Sequence, residues 1–268
     1  MHYDPIKRML GKAVGRNLLA RRLFYRMLDL LLLRTWHIRH ELKKWAQNQQ
    51  KETEVLDAGS GFGQYSWWIT QKFKFWRITG VDVKQEQVDD CNAFFKQAGK
   101  HNVKFVAGDL TQYRLPATYN LIISVDVMEH IEDDEAVFRN FYESLKRGGM
   151  LLISTPSDQG GSDVHEHDQV SFIEEHVRDG YNRLGIQEKL ANAGFERTAA
   201  RYQYGWPGKI SWKLSMKYPI KMLGLSKIFF IVLPFYYLLV FPLCLVLNFA
   251  DVRMHHNSGT GLIVKAWK

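Results

Sequence analysis

The chain has 268 residues, two cysteines and a formal net charge of +8. That length suits one large domain with attachments. Two cysteines with no partner at ligand spacing exclude a disulfide framework and a zinc site, and fit a reducing compartment. The charge is unevenly placed: residues 1–51 carry twelve Lys/Arg and three Asp/Glu, residues 52–201 sixteen and twenty-four, and residues 202–227 five Lys and no acid.

Basic flanks around an acidic middle suit anionic lipid or nucleic acid. No motif for reading RNA or DNA appears, and their apolar neighbours favour lipid. The first flank interleaves Arg16, Arg21, Arg22, Arg26 and Arg34 with Leu18, Leu19, Leu23, Phe24, Leu28 and Leu30 to Leu33. This pattern predicts a basic amphipathic helical extension over 1–51. A signal peptide is not expected, because no small-residue cleavage pattern follows the short run of leucines.

From Glu54 short apolar runs alternate with amphipathic stretches. EVLDAG, ITGVDV, NVKFVAGD, YNLIISVD and GGMLLISTP read as strands, with helices predicted at about 63–73, 84–98, 133–146 and 182–193. The last of these offers Leu184, Ile186, Leu190 and Ala193 as an apolar, core-facing stripe. The alternation predicts a parallel sheet covered on both faces. Ligands of such sheets bind beyond the carboxyl ends of the strands.

The first strand runs into Asp57-Ala58-Gly59-Ser60-Gly61-Phe62-Gly63. Glycines there let the backbone turn sharply and approach a ligand, with a helix N-terminus behind them. The dinucleotide fingerprint needs its third glycine three residues after the second, where Gln64 stands, so a nicotinamide cofactor is disfavoured. Asp82 closes the second strand, where a carboxylate can accept from both hydroxyls of a ribose. Asp109, after the third strand, could accept from an adenine amine.

VLDAGSGFG, GVDV, AGDL and NLIISVDVMEHIEDDEAVFRNFYESLKRGGMLLISTPS resemble the ordered motifs of class I S-adenosylmethionine-dependent methyltransferases, near the group acting on quinones and other small lipophilic acceptors. The resemblance implies an α/β fold with a seven-stranded Rossmann-like sheet whose last strand is antiparallel. It implies that Gly59, Gly61 and Gly63 pack against the methionine moiety of S-adenosylmethionine, that Asp82 holds its ribose, and that Asp109 and Leu110 meet its adenine. Asp57, Val83 and Asp126 join the same cofactor-binding set. The domain is expected over 52–204 plus 258–268. Methyl transfer to a small lipophilic or lipid-linked acceptor follows, with oxygen slightly favoured. The alternatives are a non-catalytic scaffold that binds the cofactor and, less favoured, a nicotinamide-dependent reductase.

Asp126, Glu129 and His130 stand at i, i+3 and i+4, which on a helical turn would put three potential ligands on one face. Similar residues bind a divalent cation in some quinone-pathway relatives; a metal is an option here but not the favoured one. His130, His165 and His167 are candidate bases because imidazole titrates near neutrality. Met128, His176 and Tyr181 are expected to line the acceptor pocket.

The closing region holds Lys209, Lys213, Lys217 and Lys221 at every fourth position, then Ile228 to Ala250 without one charge. The apolar run is long enough to cross a bilayer. Yet the final GLIVKAW reads as a strand that must join the sheet beside FERTAARYQY, and a single crossing would strand it on the far side. Pro234 and Pro242 are expected to break the run into short apolar pieces. Residues 205–257 are therefore expected to form a helical insertion that docks on anionic lipid at the cytoplasmic face of a membrane. Nothing in the sequence bears on oligomeric state.

Overall fold

A computed structural model describes residues 17–49, 51–160 and 177–268. Two helices open it, α1 (Leu18–Leu31) and α2 (Leu33–Ala46), followed by β1 (Glu54–Ala58), α3 (Gln64–Lys72), β2 (Arg77–Asp82), α4 (Gln85–Gln97) and β3 (Val103–Ala107). Then come β4 (Tyr119–Val125), a single 3-10 turn at Met128–His130, α5 (Asp134–Ser144), β5 (Leu145–Pro156), α6 (Arg183–Asn192) and β6 (Arg197–Gln203). The insertion comprises α7 (Trp206–Trp212), a π-helical turn (Lys213–Lys217), α8 (Tyr218–Leu225) and α9 (Phe229–Arg253), before β7 (Gly261–Trp267).

The strands form one sheet in the order β3-β2-β1-β4-β5-β7-β6. All neighbours are parallel except β7, which runs antiparallel to both β5 and β6. Residues alternate between faces with the period of two that a pleated strand imposes. Leu121 and Ile123 of β4 pack on one side with Ile38 and Leu42 of α2 and Ile69 of α3. Ile122 packs on the other side with Phe138 and Phe141 of α5 and Ile186 and Leu190 of α6. The predicted stripe on α6 holds at three of its four positions: Ile186 and Leu190 are buried and Ala193 packs against the same core, but Leu184 is 70% exposed. Leu184 sits in the first turn, beyond the sheet's cover.

Three expectations change. The basic extension is two helices broken at Leu32, not one continuous lipid-facing face. Arg21 is buried and paired with Asp90, and Arg34 is paired with Asp126, so those arginines serve the fold. The apolar run is not broken by its prolines: α9 continues through Pro234 and Pro242 for 25 residues. Each proline removes one donor, and the helix here absorbs both losses without ending. Among the described residues α9 is the one helix long and apolar enough to cross a membrane, and only 11% of its most apolar window is buried.

Candidate active site

The strand order reverses between β1 and β4, the place where open parallel sheets bind ligands. The glycine loop lies there. Gly59, Gly61 and Gly63 all have left-handed φ, at +73°, +48° and +75°. Their reasons differ. A Cβ on Gly59 would sit 2.2 Å from Val127 Cγ2, and one on Gly63 would crowd Phe95 and Phe105. At Gly61 nothing lies within 4 Å, so that face of the loop is open to a ligand. Ser60 Oγ beside it is buried without a hydrogen-bond partner.

Asp82 is well prepared to hold a diol. Gly61 N donates to its Oδ2 at 2.9 Å and Lys84 N to its Oδ1 at 3.0 Å. Each oxygen keeps a lone pair for a further donor. Val83 next to it is 67% exposed, an apolar surface at the rim. Asp109 is exposed, with its Oδ1 accepting from Thr111 N at 2.8 Å. The Leu110 side chain is buried in the core cluster. Asp57 lies beneath the loop, where Ser66 donates to it from N at 3.2 Å and Oγ at 2.6 Å. Burial, against those hydrogen bonds, pushes its carboxyl up to about 6.

Helix α1 clamps the loop from above. Arg21 Nη2 donates to the Phe62 carbonyl at 3.0 Å, and Tyr25 Oη donates to the same oxygen. The Arg21 guanidinium also lies 4.4 Å from the Phe94 ring centroid. A carbonyl of the loop is therefore held by two side chains of one helix.

At the carboxyl ends of two further strands, β4 is followed by Asp126, whose φ is +53°, and β6 by Tyr204 at +56°. Left-handed backbone at non-glycine residues stores strain and concentrates at functional sites. Both residues converge on Arg34: Arg34 Nη1 lies 2.7 Å from Asp126 Oδ2, and Arg34 N donates to Tyr204 Oη at 3.1 Å. Tyr65 Oη stands 3.4 Å from Thr35 Oγ1 in the same group. Burial holds the Tyr65 and Tyr204 hydroxyls up to about 12, so both stay protonated. Glu129 is buried and accepts from Thr155 Oγ1 at 3.1 Å. Burial, then the nearby Asp126 charge, pushes its carboxyl up to about 8.

The i, i+3, i+4 metal face does not form. Met128–His130 is one 3-10 turn, Asp126 turns to Arg34, Glu129 faces Thr155, and His130 is exposed. Among the described residues no three His, Cys, Asp or Glu side chains converge as a ligand set. The Met128 side chain is fully buried and Tyr181 is committed to Asp134, with Oη–Oδ2 at 2.7 Å, so both back the wall instead of offering surface. His165, His167 and His176 lie outside the described residues. A cavity of about 490 Å³ opens among Glu54, Arg77, Val103 and Tyr119, at the amino-terminal ends of the strands and away from this site.

Sequence reasoning missed Arg34, Tyr65 and Tyr204. Tyr204 follows a predicted strand and was findable on that ground; Arg34 looked like one more basic residue in a basic segment.

The sheet order and this loop are similar to those of class I methyltransferases. Residues 55–149 match the family model described as a methyltransferase domain. A phosphoethanolamine N-methyltransferase from Triticum aestivum is 31% identical over 55% of this chain. The chain spans 28% of that relative's length. A malonyl-[acyl-carrier protein] O-methyltransferase from Ilyobacter polytropus is 23% identical over 61% of this chain and 60% of its own. In fold, the chain is similar to phosphoethanolamine N-methyltransferase 2 of Haemonchus contortus, solved with S-adenosyl-L-methionine: TM-score 0.61, 20% identity, 87% of this chain and 52% of that one covered.

Proposed function

We propose that the protein transfers a methyl group from S-adenosylmethionine to a small lipophilic or lipid-linked acceptor at a membrane surface. The observation that carries the cofactor is the loop: an open face at Gly61, an unpartnered Ser60 Oγ and an Asp82 carboxylate with two lone pairs to spare. These residues fit an amino-acid end and a ribose. When bound, the cofactor would supply an electrophilic methyl on a positive sulfonium.

The chain's own residues then align the acceptor, exclude water and take its proton. Glu129, whose carboxyl burial and then the Asp126 charge raise, takes that proton when ionised, and Thr155 Oγ1 donates to it. Asp126 and Tyr204 offer an acceptor and a hydroxyl beside it. The N-methyltransferase relatives support a nitrogen acceptor in place of the oxygen slightly favoured from the sequence, and the malonyl-[acyl-carrier protein] O-methyltransferase relative keeps oxygen as the alternative. The uncovered α9 supports presentation at a membrane.

Calorimetric titration with S-adenosylhomocysteine tests the cofactor. Binding is expected, and Asp82→Ala should weaken it about 10- to 100-fold, the worth of a charge-assisted bidentate contact. Absence of binding to the wild-type protein would sink the reading. Lipid extracts from cells with and without the protein should differ by one methyl group in the product.

A further inference from the structure

Helix α9 is apolar on all sides and largely uncovered: Leu225 just before it is 80% exposed, and Ile231, Leu238 and Leu239 within it are 70%, 74% and 79% exposed. The insertion nevertheless starts and ends at one point. Gln203 at the end of β6 and Gly261 at the start of β7 are paired neighbours in the sheet. The base is fastened by Asp251, fully buried, which accepts from His37 Nε2 at 2.8 Å, Tyr204 N at 3.1 Å and Gly208 N at 3.0 Å. Both ends of the insertion therefore lie on one side of any membrane, and α7 to α8 run back along α9 as the other arm of a hairpin. Ser211 Oγ donates to the Cys244 carbonyl, while Tyr236 and Tyr237 meet Leu214 and Ser215.

Those tyrosine contacts suit an apolar surrounding. Pro219 has no N–H, so the carbonyls of Leu214 and Ser215 lose it as their i+5 and i+4 donor. Tyr236 Oη and Tyr237 Oη each donate to one of them at 2.8 Å. Internal satisfaction of these two carbonyls is of use where water does not reach them.

The lysines decide the orientation. Lys209 stands near the base, Lys227 at the far turn, and Lys213, Lys217 and Lys221 between, with no acid from 202 to 227. A hairpin standing upright would carry the middle lysines through the hydrocarbon at about 2.5–3.5 kcal/mol each. Lying flat, it keeps all five at the head groups while their stems cover apolar surface.

We propose that residues 206–253 lie in the plane of a single anionic leaflet, with α9 sunk into the acyl layer and the lysines of the opposing arm at the phosphates. This deepens the membrane-surface part of the function proposed above and rests on it, while standing apart from the methyl-transfer chemistry.

Full-length protein tests it by co-sedimentation with vesicles of phosphatidylcholine alone or mixed with phosphatidylglycerol. Binding is expected to strengthen with the anionic lipid. Replacing Lys209, Lys213, Lys217 and Lys221 by Gln should weaken that binding about five-fold per residue, the effect of roughly 1 kcal/mol per surface lysine. Affinity for S-adenosylhomocysteine should be unchanged in the same protein, which separates this proposal from the cofactor reading. Orientation is read from single cysteines. Lys227→Cys on bound protein should react with an impermeant maleimide added outside, and a fluorophore at Leu239→Cys should be quenched by lipids spin-labelled on the acyl chain. A tip protected from the outside reagent would overturn the flat arrangement. Dimerisation through α9 with no vesicle binding would overturn the lipid assignment altogether.

Discussion

The sheet domain and the hairpin solve opposite problems. In the domain most large apolar side chains are hidden in the core, and the groups left for a ligand are polar or strained: the loop at Gly61, the unpartnered Ser60 Oγ, Asp82, and Asp126 with its left-handed backbone. In the hairpin many large apolar side chains are outside, and polar contacts gather at Asp251 at the base and at the two tyrosines beneath the π-helical turn. Exposure thus means polar groups open to a ligand in one region and apolar surface in the other, a surface that the proposed function assigns to lipid.

Removing the shared anchor should break the contrast most severely. Asp251→Ala leaves the N–H groups of His37, Tyr204 and Gly208 buried without an acceptor, at about 1–3 kcal/mol each. A loss of at least about 3 kcal/mol in a denaturant midpoint is expected, together with detachment of the hairpin, visible as new protease cleavage between 204 and 260. The burial of Asp251 opposes ionisation, but its hydrogen bonds and the nearby His37 and His256 hold it ionised below the ordinary carboxylate range.

Within the domain, the glycines separate folding from binding. Gly59→Ala should destabilise by several kcal/mol because its Cβ meets Val127 as well as bearing a left-handed φ. Gly61→Ala meets open space, so it should cost only about 1–2 kcal/mol of thermal stability while abolishing cofactor binding. Equal stability losses in the two variants would erase the distinction drawn between a packing glycine and a ligand-facing one.

Glu129 makes the polar site pH-sensitive. Its folded carboxyl titrates near about 8 against an ordinary 4.5, so between these values the folded protein holds a proton that the unfolded chain has released. This contribution to stability is fully present below pH 4.5 and is lost as pH rises through about 8. Glu129→Gln should flatten the fall in melting temperature between pH 5 and pH 8.5 (an interval of about four units). It should also abolish turnover, whose wild-type rate should rise toward a plateau above about pH 8.

The smallest effect belongs to the hairpin's own polar groups. Tyr236→Phe uncovers the Leu214 carbonyl and should cost about 1 kcal/mol in detergent and less in a membrane-free buffer, where water replaces the hydroxyl. An equal effect in both media would weaken the contrast.

Much of this was readable from residues in order. Strand alternation, the glycine loop and Asp82 follow from local patterns whose physical cause is local, while the antiparallel β7 was implied by the family resemblance alone. What escaped was set by distant partners. Arg21 meets Asp90 and the Phe62 carbonyl, and Arg34 meets Asp126 and Tyr204, so residues that resembled a lipid-facing stripe clamp the site instead. The three-ligand face failed because the backbone after β4 takes a left-handed step before its single 3-10 turn. The continuity of α9 through two prolines reflects tertiary support from the opposing arm, which no propensity encodes.

The pairing of Gln203 with Gly261 has a further consequence. Residues facing each other on adjacent antiparallel strands are about 5 Å apart, a gap that a tight turn could close. The whole excursion from 204 to 260 therefore occupies the place of an ordinary hairpin loop. Removing 204–260 and joining the strands by a tight turn would leave every other strand pairing unaltered, so the sheet and the excursion are separable modules of one chain.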